Sequence, residues 1–146
     1  DSIGPGHNSH LSNAALVGFG LNWQGHTNTG STQPGYMWYP TGALGWYRWY
    51  EPTNKFELFG NNNSPVKRHT RFQLTFGQTY MFKMRSDSIG GGDVQYSWKV
   101  WPQGDPEPAA WDLQLTETDG PETGSLILIT HHTDTRFGNV TVNAIP

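Results

Sequence analysis

Apolar and polar residues alternate with period two along most of this chain. In Thr79–Arg85, Tyr80, Phe82 and Met84 share one side, and Lys83 and Arg85 the other. In Val94–Trp101, Val94, Tyr96, Trp98 and Val100 oppose Gln95, Ser97 and Lys99. In Trp111–Thr116, Trp111, Leu113 and Leu115 oppose Asp112, Gln114 and Thr116. Successive side chains of an extended backbone point to opposite faces, so this pattern predicts half-buried β-strands. Leu126–Thr130 is apolar on both faces and reads as a central strand. Phe137–Ala144 reads as a closing strand with Val140 and Val142 inward. The first half predicts strands at Ala15–Trp23, Tyr36–Tyr39, Ala43–Tyr50, Lys55–Phe59 and Arg71–Phe76, the last with Phe72, Leu74 and Phe76 on one face. No stretch keeps a helical i, i+3, i+4, i+7 pattern for three turns.

The strands are separated by turn residues. Gly90-Gly91-Gly92-Asp93 predicts a tight hairpin between the two clearest strands. Pro102–Ala109 holds three prolines and predicts a stiff loop. Nine or ten short strands with regular turns predict an all-β fold, an antiparallel two-sheet jelly-roll β-sandwich. Residues 1–13 lack a pattern and read as a tail or interface segment. Residues 14–146 read as a single jelly-roll domain that would fit within a larger protein, and Asp1 reads as a mature or excised start.

Composition narrows the function. Hydrophobic residues are only 34%, but aromatic residues are 14%, so the apolar volume sits in rings with flat faces. Charged residues are 14% and the net charge is −3, which leaves no basic stripe for nucleic acid. No apolar run approaches the about 20 residues of a membrane helix. There are no cysteines, which excludes disulfides, thiol catalysis and thiolate metal sites. Low charge with abundant Gly, Asn and Thr suits a secreted or cell-surface protein.

The run Tyr96-Ser97-Trp98-Lys99-Val100-Trp101-Pro102, with Gly104, Glu107-Pro108 and Trp111, follows Thr79–Arg85 and the hairpin. With Phe137–Val142 behind it, this half of the chain resembles the concanavalin A-like lectin/glucanase superfamily. It is most similar to the LamG-like jelly-roll modules of secreted bacterial proteins. The resemblance implies a jelly roll with carbohydrate-binding-module-like activity. In that family the closing strand often carries an Asp after the Phe, where it helps to hold a structural calcium. Here that position is Gly138, so the resemblance does not extend to that site.

Candidate site residues concentrate in Tyr36–Tyr50, which holds three Trp and four Tyr in fifteen residues. Within it, Trp46, Arg48 and Tyr50 share one face; Tyr47, Trp49 and Glu51 share the other. Sugar rings present apolar C–H faces that stack on aromatic rings, and Arg and amide groups bind their hydroxyls. Trp38, Tyr39, Trp46, Tyr47, Arg48, Trp49 and Tyr50 are therefore the candidate ligand-binding residues. The competing reading packs these rings into the sandwich and sets Arg48 against carboxylates. Strand register decides between the two. Gly60–Pro65 offers amides but reads first as a hairpin turn. Trp101 is expected to stack on the Pro-rich loop.

Catalytic chemistry is poorly provided for. A retaining glycosidase needs two carboxylates about 5 Å apart, and no strand carries such a pair: Glu51 precedes Pro52, Glu57 stands alone, and Glu117 and Asp119 fall in an acidic loop. No catalytic residue is assigned and no cofactor is required. His131 and His132 are adjacent, so on a strand they point to opposite faces. Calcium held by Asp93, Asp112, Asp119 or Asp134 is the metal the acidic loops leave open. The sequence thus favours non-catalytic binding of a polysaccharide. The alternative readings are an adhesive domain that joins a neighbouring domain or a second copy through an open sheet edge, and a polysaccharide-active enzyme.

Overall fold

Eight strands form in the computed structural model, which describes residues 15–25, 42–49, 54–61, 66–69, 73–131 and 133–145. They are β1 (Leu16–Trp23), β2 (Ala43–Arg48), β3 (Lys55–Phe59), β4 (Val66–His69), β5 (Tyr80–Gly90), β6 (Asp93–Pro102), β7 (Leu113–Glu117) and β8 (Ser125–His131). One sheet has the order β4-β3-β2-β1-β8 and the other β5-β6-β7, with every pairing antiparallel. The fold is the all-β two-sheet sandwich that the alternation predicts. The chain runs as two meanders, and β8 then returns to the first sheet beside β1.

The core lies between the sheets. Val17, Ala43, Tyr47, Phe56 and Leu58 from the five-stranded sheet meet Val94, Tyr96, Trp98, Val100, Leu113 and Leu115 from the three-stranded one. Trp98 is its centre: fully buried, it contacts Phe19, Phe56 and Phe82 at ring-centroid distances of 4.7, 5.2 and 5.3 Å. Gly45 lies beneath it, because a Cβ there would stand 2.7 Å from two indole carbons. Of the eleven buried core residues seven are aliphatic, and the four rings of Tyr47, Phe56, Tyr96 and Trp98 are the largest side chains among them. A second cluster of Leu16, Leu44, Trp46, Phe59 and Ile129 occupies the opposite face of the five-stranded sheet.

One device pins the two sheets together, and another closes a hairpin within the three-stranded sheet. Asn22, in the left-handed region at φ 59°, donates from Nδ2 to Ser86 Oγ at 2.9 Å and to the Pro121 carbonyl at 2.7 Å. The predicted Gly90–Asp93 hairpin closes β5 onto β6, and Gly90, Gly91 and Gly92 all take positive φ there. Side-chain-free residues adopt that conformation at least cost.

Several expectations are corrected. Phe137–Ala144 forms no strand, and Val140 and Val142 point outward, Val142 with 72% of its surface exposed. Alternation alone does not supply a backbone partner. β8 is an edge strand among the described residues and pairs with β1 alone, so Leu128 stays 43% exposed. Residues 73–79 form a turn segment instead of the second half of a strand at 71–76. β4 was not anticipated, since Val66-Lys67-Arg68-His69 carries one apolar side chain and joins the sheet through its backbone. Trp111 does not share the inward face of Leu113 and Leu115; the chain bends at Asp112, whose N–H donates to the Trp98 carbonyl. The expected strand at Tyr36–Tyr39 and the tail at 1–13 lie outside the described residues.

Candidate functional site

The aromatic strand is β2, whose alternation divides its rings between the two faces of the five-stranded sheet. Tyr47 points into the core with no exposed surface. Burial of its hydroxyl raises its pKa, with Leu74 and Asn54 opposing the shift. Trp46 points the other way but is also buried, at 8% exposure. Its ring meets Phe59 edge-on at 4.9 Å, and its Nε1 donates to Glu57 Oε2 at 2.7 Å. The same fully buried carboxylate accepts from Arg68 Nε at 2.7 Å and has Arg48 Nε at 3.5 Å. Trp46, Arg48, Glu57 and Arg68 thus form one polar cluster across β2, β3 and β4. Of the two readings of Arg48, the packed one describes its surroundings: it lies against a carboxylate.

Trp49, just past β2, is the partly exposed ring among the described residues of the segment. Its backbone N–H donates to the Ala15 carbonyl at 2.9 Å. One edge meets Tyr47 at 4.7 Å, and its face stacks on Phe76 at 5.8 Å with planes 25° apart. Phe76 is 52% exposed at the tip of the 73–79 turn. Tyr80 fixes that turn: its hydroxyl accepts from Thr75 N at 2.9 Å and donates to Gln78 Oε1 at 3.1 Å. Trp49 and Phe76 therefore present a stacked pair of rings at one end of the sandwich, with the Gln78 amide and Thr75 beside it. Sequence reasoning missed Phe76, which fell on one face of an expected strand with Phe72 and Leu74. Its signal was the following Gly77, which takes φ 78° and turns the chain.

A second aromatic group lies on the outer face of the three-stranded sheet. Lys99 points outward from β6 yet is buried, because the Pro-rich loop folds over it. Its Nζ donates to the Pro108 carbonyl at 2.6 Å and to Glu107 Oε1 at 2.7 Å, and lies 4.6 Å from the Trp111 ring centroid and 5.8 Å from that of Trp101. Lys83 Nζ reaches the same Glu107 oxygen at 2.7 Å. Hydrogen bonds from Lys83 and Lys99 hold the Glu107 carboxyl below its ordinary pKa. Lys99 of the Lys-Val-Trp-Pro run is thus spent on locking a loop, while Val100 faces the core. Trp101 meets that loop through Lys99.

Other candidates resolve structurally. Asn61 Oδ1 accepts from Gly42 N at 3.2 Å, and Asn61 N donates to Glu117 Oε2 at 3.0 Å, which staples the 60s loop to β7. Burial raises the Glu117 pKa. Asp112 Oδ2 accepts from Val100 N at 2.9 Å. Among the described residues no three His, Asp or Glu side chains gather as a metal site. No helix among them is long and apolar enough to cross a membrane. Trp38, Tyr39, Tyr50 and His132 lie outside the described residues.

Comparison with known proteins returned no match to any family model, any curated protein or any solved structure.

Proposed function

We propose that this chain is a non-catalytic carbohydrate-binding domain of a secreted or cell-surface protein, and that Trp49 and Phe76 form its sugar-stacking platform. The observation that carries this reading is the stacked Trp49–Phe76 pair, with the outer ring half-exposed and held in place by the Tyr80–Thr75 and Tyr80–Gln78 hydrogen bonds. A pre-ordered aromatic face loses little freedom when a pyranose ring settles on it, and nearby amides orient the hydroxyls. The resemblance to LamG-like, concanavalin A-like modules supports the same class. Glu57, the buried carboxylate of the aromatic sheet, has both oxygens engaged by Trp46 and Arg68, which argues against its use as an acid or nucleophile.

The test is affinity electrophoresis against soluble and insoluble polysaccharides, with calcium and with a chelator, and with reducing ends assayed on the same samples. Retention that disappears in Phe76→Ala, with folding intact, is the expected result. Phe76 suits this test because its exposure lets it be removed cheaply; Trp46→Ala would damage the packing instead. Retention unchanged in Phe76→Ala and Trp49→Ala would overturn the platform. Sugar product would overturn the non-catalytic reading.

A further inference from the structure

Among the described residues the sandwich is one strand short on one side, and residues 137–145 carry the pattern of a strand without strand pairing. β5 lies against β1, and β7 against β3 and β4, so β8 overhangs the edge of the three-stranded sheet. Among the described residues β5 pairs only with β6, and its other edge is open. The core is correspondingly unfinished there: inward-facing Phe82 and Met84 are only partly buried, and Leu128 and Thr130 on the inner face of β8 are exposed. Beyond β8, the chain turns where Thr130 Oγ1 bonds to the Thr133 carbonyl and to Thr135 Oγ1. Residues 137–145 then run without strand pairing and expose Phe137, Val140, Val142 and Ile145. Val140-Thr141-Val142 has strand alternation and β-branched side chains, which favour a pleated, half-buried setting.

Chain direction selects the source of the missing strand. β8 ends at His131, opposite Leu16 of β1. β5 starts at that same end, with Tyr80 near Tyr47, and reaches Ser86 at the Asn22 end. A segment folding straight back from β8 would therefore run parallel to β5, whereas every pairing among the described strands is antiparallel. A segment from another molecule can arrive from the Gly90 end and pair antiparallel. We propose that two copies of this chain exchange their C-terminal segments, residues 137–144 of each adding to the open edge of β5 in the other, with Val140 and Val142 covering Phe82, Met84 and Leu128. Reciprocal exchange gives a closed two-fold dimer and removes both the exposed edge and the exposed valines.

Sedimentation equilibrium of the full chain over a wide concentration range tests this, with amide hydrogen exchange on the same samples. The expected result is a monomer–dimer equilibrium in which the amides of residues 139–143 and of β5 gain protection together as dimer forms. Val140→Asp/Val142→Asp should weaken the dimer on the order of a hundredfold or more, since two buried valines are replaced by charges. Both side chains are exposed in the single chain, so near-UV circular dichroism should be unchanged. Leu128→Lys, altered on the acceptor side, should weaken the dimer as well. A chain that stays monomeric throughout overturns the proposal, as does a dimer indifferent to these variants. Protection of residues 139–143 in a monomer would mean that the segment closes on its own β5, and also overturns it.

Discussion

Gly45→Ala should destabilise this protein, although alanine ordinarily stabilises a strand relative to glycine. The general gain from restricting the unfolded chain is about 0.4–1 kcal/mol. Against it stands a steric cost that can be read from the core. The added methyl would meet Met84 Cε at 2.6 Å and Trp98 Cδ2 and Cε3 at 2.7 Å. The Met84 methyl is the end of a flexible chain and can swing away. The indole cannot: it must recede by roughly 0.7 Å to regain ordinary contact, and Phe19, Phe56 and Phe82 wall it in. Overpacking of this kind costs about 1–3 kcal/mol. The net loss should lower the melting temperature by about 2–8 °C for a domain of this size. Thermal and urea unfolding followed by near-UV circular dichroism would measure it. The decisive comparison is the same substitution in a Trp98→Phe background, where a smaller ring can retreat into the vacated volume. There the cost of Gly45→Ala should shrink by at least about 1 kcal/mol, a coupling expected of residues in direct contact. Equal costs in the two backgrounds, or a more stable Gly45→Ala protein, would refute the reasoning.

Glu57→Ala should cost about 1–3 kcal/mol, because it removes the buried acceptor of the Trp46 N–H and the counter-charge of Arg48 and Arg68, of which Arg68 is half-exposed and can turn to water; Glu57→Gln keeps one acceptor and should cost less, and urea titration of both would show it. The Glu107 carboxyl is held below its ordinary pKa, so its contribution is present above the usual carboxylate range and is lost as pH falls through the lowered value. Hydrogen exchange of residues 103–111 should accordingly accelerate in acid, and Lys99→Met should bring that acceleration to neutral pH. Glu117 has the opposite sign: burial raises its pKa, so its contribution is full below the ordinary carboxylate range and declines as pH rises through the raised value. Glu117→Gln, which can still accept from Asn61 N, should flatten that part of the stability–pH curve; an unchanged curve would remove Glu117 as its source.

Period-two alternation sufficed for the strands whose inward residues are large, as in β3, β5, β6 and β7, and for the glycine hairpin, because side-chain direction along an extended backbone is a local property. It also showed that Trp46 and Tyr47 face opposite ways. It did not show that both residues are buried, which depends on what other strands bring to them: the three-stranded sheet packs over Tyr47, and Leu16, Phe59 and Ile129 of neighbouring strands cluster with Trp46 on its own face. Burial of Trp46 and Tyr47 moves the candidate platform to Trp49 and brings in Phe76, 27 positions along the chain. Glu57 meets Trp46 and Arg68 only because three strands align in register. Lys99 reads as a solvated residue until the Pro-rich loop folds over it. In the other direction, Phe137–Ala144 has the rhythm of a strand and lacks a partner. The sequence determined which residues are able to form strands and which faces are apolar, since both follow from local geometry. Only the tertiary structure decided which strands pair, which rings are spent on packing and which edge stays open, because hydrogen-bond partners and contact surfaces come from residues far apart in the chain.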